Sequence, residues 1–295
     1  MRKTLLSLLI ISSIFAEAQV KPTSPAERLK SIELRKQLSQ QSLANKTEFR
    51  NIGPSIQSGR VVDIDVNPAD PTEFYVAYAT GGLWHTVNNG MSFSPIFDSE
   101  DIIGIGDIAV NWKTGEIGVG AGEVNSSRST YAGLGVYKSS DNGKTWTWLG
   151  LADSHHIGEI KLHATDPNTA WVAVLGHLYS PNKERGIYKT TDGGKSWKQT
   201  LYVDENTGAV DLDINPSNSN ELYAGMWYRT RKAWNFEESG KSGGIFKSTD
   251  GGETWQKISV EGAGFPTGDG VGRIGLAIYP KNPSIVYAVV DNNEK

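Results

Sequence analysis

The chain has 295 residues, of which 38% are hydrophobic and 21% are charged, a composition that is sufficient for a folded protein with a substantial core. Its net charge is −4 with acidic and basic residues interspersed, so there is no basic stripe and no nucleic-acid partner is expected. Gly (33) and Trp (9) are abundant, which favours a turn-rich all-β protein, and the absence of cysteine excludes stabilisation by disulfides.

The first residues have the pattern of an export signal. A basic "MRK" precedes the apolar run "TLLSLLIISSIFA", and "AEA" then places small residues before a cleavage site. The run is too short to span a membrane, so no transmembrane span is expected. We therefore predict a signal peptide over residues 1–18, cut after Ala18, and a secreted or periplasmic protein.

Residues 19–46 are predicted to form an N-terminal helix or linker. Ser24 is suited to cap a helix over 24–45, Pro25 suits its first position, and Glu27 completes a capping box. The apolar stripe of this helix is weak, which favours a spacer over a catalytic element.

A nine-residue turn recurs four times along the rest of the chain. It is written "HTVNNGMSF" at 85–93, "KSSDNGKTW" at 138–146, "KTTDGGKSW" at 189–197 and "KSTDGGETW" at 247–255. Each turn closes a unit of about 50 residues with four predicted strands, the second almost wholly apolar, and such a period indicates a propeller or solenoid.

Four antiparallel strands per unit describe the blade of an all-β propeller, which we place over residues 47–295. We expect four blades and part of a fifth, so the ring is predicted to be incomplete and to need missing C-terminal blades. The segment "TEFRNIGP" (47–54) is predicted to be the strand that closes the last blade. The predicted blades lie near 61–98, 105–150, 157–204, 209–259 and 274–295.

The residues of the repeated turn have a structural explanation. The acidic residue accepts backbone N–H bonds, the glycine supplies a positive φ, and the tryptophan opens the fourth strand and packs on the blade. The first unit is a weaker match, in which Asn88 replaces the acid and Phe93 replaces the tryptophan. The residues assigned to this structural role are Asn88, Gly90, Asp141, Gly143, Trp146, Asp192, Gly194, Trp197, Asp250, Gly252 and Trp255.

The pattern S/T-x-D-x-G-x-S/T-W resembles the Asp-box, or bacterial neuraminidase repeat, in which the box lies at the blade periphery, away from the ligand face. The stretches "FRNIGPSIQSGR", "GAGEVNSSRS", "DSHHIGEI" and "VGRIGLAIYP" resemble the sortilin-N-terminal-like propeller proteins of bacteria. Members of that family are labelled glycosyl hydrolases. The resemblance therefore implies the propeller fold and leaves glycoside hydrolysis open.

Candidate binding residues lie where the sequence departs from its repeat. Propellers bind ligands on the face built by the loops after the second strands and the loops entering the first strands. Aromatic rings there stack on sugars and guanidinium groups bind carboxylates. Arg60 and Arg273 occupy matching strand entries, so bracing of neighbouring blades is an alternative for them. The candidates are Arg60, Asn125, Arg128, His155, His156, His177, Trp227, Arg229, Arg231, Trp234 and Arg273.

The catalytic candidates are Glu123, Asp153 and Asp291. A glycosidase needs two carboxylates about 5 Å or about 6.5–9.5 Å apart. Asp291 is expected to lie too far from Glu123 to act with it, whereas Asp153 is nearer in the fold. In xyloglucanase-like propellers an Asp precedes the "xGG" that follows the second strand, and the matching "YATGG" here has Ala79 instead.

The predicted function is therefore an exported propeller that recognises a glycan or peptide ligand on its loop-bearing face. Glycoside hydrolysis is the first alternative, and a protein-docking or assembly factor is the second. No cofactor is predicted. No metal is predicted either, because His155 and His156 would need further ligands and the sequence shows no cluster with metal-ligand spacing.

Overall fold

The computed structural model describes residues 22–47, 59–127 and 130–293. The predicted signal peptide, most of the predicted closing strand (47–54) and Arg128 lie outside the described residues. The chain divides into two compact units, Met1–Glu48 and Phe49–Lys295. Within the described ranges, no helix is both long and apolar enough to cross a membrane.

The first unit contains helix α1 (Pro25–Gln41), followed by a 3₁₀ turn (Leu43–Lys46). Ser24 caps α1: its side chain accepts from the Glu27 backbone N–H at 3.3 Å, and the Glu27 carboxylate accepts from the Ser24 N–H at 3.1 Å. These bonds satisfy N–H groups that the helix itself leaves unpaired. No residue of α1 or of the 3₁₀ turn is buried.

The second unit contains four four-stranded antiparallel sheets in which the strands pair in chain order. In the fourth sheet a small hairpin, β15–β16, is inserted between the second and third strands, and a fifth sheet has two strands in the described range. The strands are β1 (Val61–Val66), β2 (Phe74–Tyr78), β3 (Gly82–Thr86), β4 (Ser94–Pro95), β5 (Ile105–Asn111), β6 (Glu116–Ala121), β7 (Val136–Ser139), β8 (Thr147–Trp148), β9 (Ile157–Leu162), β10 (Ala170–Val174), β11 (Gly186–Thr190), β12 (Lys198–Leu201), β13 (Thr207–Ile214), β14 (Leu222–Tyr228), β15 (Thr230–Arg231), β16 (Phe236–Glu237), β17 (Gly244–Ser248), β18 (Gln256–Lys257), β19 (Val271–Ile278) and β20 (Val286–Asn292).

These sheets are the blades of a β-propeller, so the predicted all-β fold class is confirmed. The first strands of consecutive blades contact one another, β1 with β5, β5 with β9, β9 with β13 and β13 with β19, which places them innermost. The second strands of the second, third and fourth blades are covered by blades on both sides, and four of the five residues of β10 are buried. In the fifth blade most residues of β20 are exposed. That the ring is incomplete and needs further blades to close it stays a prediction.

The core lies between the blades. Tyr75 and Leu83 of the first blade form one apolar cluster with Ile117 and Tyr137 of the second. A second cluster joins the third blade to the fourth in the same way. Each blade therefore depends on its neighbour for burial of its apolar surface.

Carboxylates on the innermost strands connect each blade to another. Asp65 accepts the Val110 N–H at 2.9 Å, Asp107 accepts the Ile160 N–H at 2.8 Å, and Asp213 accepts the Ile278 N–H at 2.7 Å. Burial raises the pKa of the Asp107 carboxyl well above its usual value. These acids have a structural role in the packing of the blades.

Each repeated turn is closed by its own side chains. Asp141 accepts from the N–H of Thr145 at 2.9 Å and from its hydroxyl at 2.7 Å, and Gly143 donates its N–H to Ser139 Oγ at 2.8 Å. The same bonds recur around Asp192 and Asp250. In the first blade Asn88 accepts the Ser92 N–H at 2.9 Å. We call the four turns, 85–93, 138–146, 189–197 and 247–255, the box turns.

The last three box turns each have a tryptophan that contacts the preceding blade, whereas the first has Phe93 in its place. The indole N–H of Trp146 donates to Ile96 O and that of Trp197 donates to Leu149 O, both at 2.8 Å. Trp255 donates to Thr200 Oγ1 at 3.2 Å. The box turns therefore connect neighbouring blades at the periphery.

Candidate functional site

The connections between strands alternate between the two ends of the blades, because each blade is an antiparallel meander. The box turns join third strands to fourth strands and lie at one end. The loops after second strands and the loops entering first strands lie at the opposite end. We call that end the loop face; it is built by residues 122–135, 151–156, 175–185, 202–206, 229–243 and 259–270.

Glu123 is the carboxylate at the centre of one cluster on the loop face. Its side chain is 1% exposed and forms an ion pair with Arg60, whose Nη2 lies 3.0 Å from Oε2. Thr130 donates its hydroxyl to Glu123 Oε2 at 2.6 Å, and the Asn125 N–H donates to Oε1 at 3.1 Å. The carboxylate is thus held by three partners, which is typical of a structural anion.

Arg229 lies in the same cluster, fully buried at 0% exposure. It donates to Ser126 Oγ and, at 3.1 Å, to Gly176 O, whereas its Nε has no hydrogen-bond partner among the described residues. Burial, together with the neighbouring Arg185 and Arg273, lowers the pKa of Arg229 well below its usual value, and Glu123 opposes this shift. Arg229 therefore ties three loops together from inside.

Arg273 reaches the same loops from the fifth blade. Its Nη1 donates to Asn125 Oδ1 at 2.8 Å, and its guanidinium carbon lies 5.8 Å from the centre of the Trp227 ring. Trp227 is only 3% exposed and donates its indole N–H to Glu238 O at 2.6 Å. Burial lowers the pKa of Arg273.

Asp153, His155 and His177 form a second cluster on the loop face. Asp153 Oδ1 lies 3.1 Å from Nε2 of His177 and 3.5 Å from Nε2 of His155. The two imidazole rings stack with centres 3.7 Å apart and an interplanar angle of 26°. Their donor atoms all lie within 4.8 Å of one another, a separation that a single metal ion could bridge. The sequence did not indicate this group, because His177 belongs to a different loop.

His156 and Arg185 support these clusters from beneath. His156 is 2% exposed and its Nδ1 has no hydrogen-bond partner in the described part of the chain. Burial, and then the charge of Arg229, lower the pKa of His156 well below its usual value. Arg185 is buried and donates to His177 O at 2.7 Å and to Asn182 Oδ1 at 3.0 Å, and burial lowers its pKa to about 10.

Among the described residues, five aromatic side chains are exposed on the loop face. Trp234 is 79% exposed, Tyr131 64%, Tyr179 47%, Tyr202 43% and Phe265 37%. Trp234 lies at the tip of the β15–β16 hairpin. An open cleft of about 700 Å³ lies beside the hairpin, and its lining includes Asp204, Phe236, Glu237, Lys241 and Asp269.

The structure separates the predicted site residues into three groups. Arg60, Glu123, Asn125 and Arg273 come together, as do Asp153, His155 and His177. Trp227, Arg229 and His156 are buried, so they support the loops and direct contact with a ligand is not expected of them. Arg231 lies over Phe236 with its guanidinium carbon 4.5 Å from the ring centre, and of the predicted site residues in this loop only Trp234 is exposed.

The catalytic candidates have different surroundings. Glu123 is held by Arg60, Thr130 and Asn125, whereas Asp153 contacts His155 and His177. Asp291 is exposed near the end of β20. A glycosidase pair stays a prediction.

The blades, the box turns and the loop face define this protein as an Asp-box β-propeller. The family model for sortilin (Sortilin-Vps10; sortilin, neurotensin receptor 3) matches residues 135–294, more than half of the chain. The chain belongs to the Sortilin-Vps10 family.

Similarity to characterised proteins extends further along the chain. It is 24% identical over 230 residues to xyloglucanase Xgh74A of Acetivibrio thermocellus, a match that covers 65% of this chain and 24% of the relative. The chain thus spans about a quarter of the length of this curated relative.

Two solved structures share the fold. An ancestral GH74 enzyme has a TM-score of 0.59 at 20% identity, covering 84% of this chain and 29% of that one. The GH74 xyloglucanase of Xanthomonas campestris has a TM-score of 0.53 at 16% identity, covering 78% and 35%. At these identities the likeness concerns the fold alone.

Proposed function

We propose that this protein is an exported propeller that recognises a glycan on its loop face, with Trp234 as the principal stacking platform. The observation that carries this proposal is an indole that is 79% exposed on an ordered hairpin. Lys232 donates its N–H to Asn235 O at 2.8 Å, and Thr230 donates its hydroxyl to Glu237 at 2.9 Å, so bonds within the hairpin fix its shape. An aromatic ring presented in this way is suited to the apolar face of a sugar.

The surroundings of Trp234 supply polar groups that suit sugar hydroxyls. The cleft beside the hairpin has carboxylate, ammonium and hydroxyl groups along its walls. Tyr131 and Tyr179 add exposed rings on the loops of the second and third blades. A shallow polar surface with several rings favours an extended ligand over a small metabolite.

The test is a binding measurement on the full chain with xyloglucan oligosaccharides, other glycans and a peptide library. Trp234→Ala is expected to weaken glycan binding at least tenfold without lowering the melting temperature, because the side chain is exposed. Met91→Ala is the matched control, since Met91 is 85% exposed on a box turn at the opposite face, and it should bind like the parent. Unchanged affinity in Trp234→Ala, or binding to peptides alone, would reject the proposal.

Glycoside hydrolysis is the second candidate, and it is favoured by the similarity to xyloglucanase Xgh74A. Against it, Ala79 stands where the resemblance calls for an acid, and Glu123 is occupied by Arg60, Thr130 and Asn125. We expect no release of reducing sugar from xyloglucan. Release that is lost in Glu123→Gln, with folding intact, would replace recognition with hydrolysis as the function.

A further inference from the structure

We propose that Asp153, His155 and His177 form a binding site for one divalent transition-metal ion, with zinc as the ion that best suits the donor set. Two imidazole nitrogens and one carboxylate oxygen are ligands that zinc uses, whereas calcium and magnesium prefer oxygen donors alone. The site is independent of the proposed glycan recognition, because Trp234 belongs to neither its ligands nor their supports.

The distances fit a metal centre. Ligand atoms that each lie about 2.1 Å from a tetrahedral zinc ion are separated by about 3.4 Å. Asp153 Oδ1 lies 3.1 Å from His177 Nε2 and 3.5 Å from His155 Nε2, so the carboxylate oxygen has nearly the tetrahedral spacing from each nitrogen. All three donor atoms lie within 4.8 Å of one another.

The ligands are held in place by a second layer of contacts. Nδ1 of His177 lies 2.8 Å from Ser180 Oγ, which leaves Nε2 as the coordinating atom when the ring donates to the serine. The His177 backbone is fixed on both sides, since its N–H donates to Asn182 Oδ1 at 3.0 Å and its carbonyl accepts from the buried Arg185 at 2.7 Å. This is the preorganisation that a metal site requires.

The backbone of His155 supplies an independent indication. His155 has φ = 54°, a left-handed conformation that non-glycine residues seldom adopt, and its carbonyl accepts the Gly133 N–H at 2.6 Å. Strained residues of this kind cluster at sites of function. The imidazole of this residue is the one that stacks on His177.

The site is open to solvent on one side. The Asp153 side chain is 25% exposed, whereas those of His155 and His177 are 12% and 8% exposed. Three protein ligands leave a fourth position for water or for an oxygen of a bound molecule, the arrangement seen in zinc sites that take part in chemistry. The metal would therefore lie at the surface of the loop face.

The test uses the full chain, with any affinity tag removed, and zinc chloride as the probe. Competition with a chromophoric chelator is expected to show one zinc per chain, and cobalt substitution is expected to show the absorption of a four-coordinate site. Asp153→Ala and His177→Ala should each weaken zinc binding at least 100-fold. Ser180→Ala should weaken it by about tenfold, because the serine only orients a ligand.

His163→Ala is the matched control, since His163 is a histidine on another loop, with Nε2 3.0 Å from Ser219 Oγ, and its zinc affinity should equal that of the parent. Near-ultraviolet circular dichroism establishes that each variant is folded, and Asp153→Asn serves if Asp153→Ala is not. The proposal is overturned if the folded parent takes up no stoichiometric zinc. Equal affinity in the parent and in both folded ligand variants also overturns it.

Discussion

The two ends of the propeller differ in how far along the chain their contacts reach. In the box turns, the bonds that define the turn join residues two to four positions apart, such as Thr145 to Asp141. On the loop face, Arg60 and Glu123 are 63 positions apart, Ser126 and Arg229 are 103 apart, and Asn125 and Arg273 are 148 apart. The bonds that close each box turn are therefore local, although tryptophans such as Trp146 and Trp171 tie the turns to neighbouring blades. The clusters of the loop face, by contrast, are assembled from several blades at once.

This difference teaches where function can be sought in a repeat protein. A turn that satisfies its own acid, hydroxyl and glycine leaves no group directed at a ligand. A surface assembled from different loops brings unlike side chains together, and both proposals made here concern that surface. The predictions below test the contrast, beginning with the largest expected effect.

The largest effect is expected from Trp171, whose side chain contacts a box turn. Trp171 is 1% exposed and donates its indole N–H at 2.9 Å to Gly251 O in the box turn of the next blade. Trp171→Ala is expected to lower the free energy of unfolding by about 3–5 kcal/mol, because it leaves a large cavity between blades. Chemical denaturation measures this.

Trp148→Ala is the control for Trp171→Ala. Trp148 also donates its indole N–H to a backbone carbonyl, at 2.8 Å, but it is 42% exposed. Its loss should cost about 1 kcal/mol. Equal losses in the two variants would contradict the assignment of the core to the space between blades.

The loop face is tested by Glu123→Ala. The substitution removes a buried carboxylate from its three partners and leaves the buried Arg229 without its nearby negative charge. We therefore expect the free energy of unfolding to fall by about 3 kcal/mol. Glu253→Ala is the control at the opposite end, because Glu253 is 41% exposed and its ion pairs with Lys189 and Lys198 should contribute less than about 1 kcal/mol. A smaller loss for Glu123→Ala than for Glu253→Ala would show that the carboxylate does not organise the loops.

Two glycines with the same backbone angle compare the two ends directly. Gly252, in a box turn, has φ = 81°, and an added Cβ would lie 2.7 Å from Trp171 Nε1. Gly262, on the loop face, has φ = 80° with nothing within 4 Å. Gly262→Ala should cost about 1 kcal/mol for the conformation alone, and Gly252→Ala about 2–3 kcal/mol for conformation and clash together. Equal losses of unfolding free energy in the two variants would mean that the box turn accommodates the added Cβ without a clash.

The smallest expected effect is on the pH dependence of stability. Hydrogen bonds from Thr145 and Ser196 lower the pKa of Asp141 and Asp192 to about 2, whereas burial raises the pKa of Glu159 on the inner strand β9 to about 7. The contribution of the box acids is therefore present above about pH 4 and is lost as pH falls towards 2. The Glu159 carboxyl acts in the opposite direction, and stability falls as pH rises from about 4 to 7.

Carboxyl NMR titration of the folded chain distinguishes the two kinds of acid. The box carboxylates should remain ionised at pH 4, and Glu159 should titrate near neutral pH. Similar titration midpoints for all of them would contradict the structural account of both groups.

The sequence predicted more of the fold than of the candidate site. The repeat period, the apolar second strands and the turn residues identified the propeller. The same reasoning located the loop face, on which Glu123 and His155 lie, but the catalytic and binding roles assigned to these residues stay predictions. It did not show that Trp227 and Arg229 are buried, because the β15–β16 hairpin that accompanies them has no counterpart in the other blades.

What the sequence by itself determined is the blade: alternating strands, and a box turn with a glycine that has an acid and a tryptophan in three of its four copies. The strands and the closure of each turn need only contacts between residues that are close along the chain. The tertiary structure alone decided which loops meet. Asp153 and His177 come within 3.1 Å because two loops of the third blade converge, and Arg60 reaches Glu123 because two blades pack side by side. Such contacts depend on how the blades pack, and no local pattern of residues specifies them.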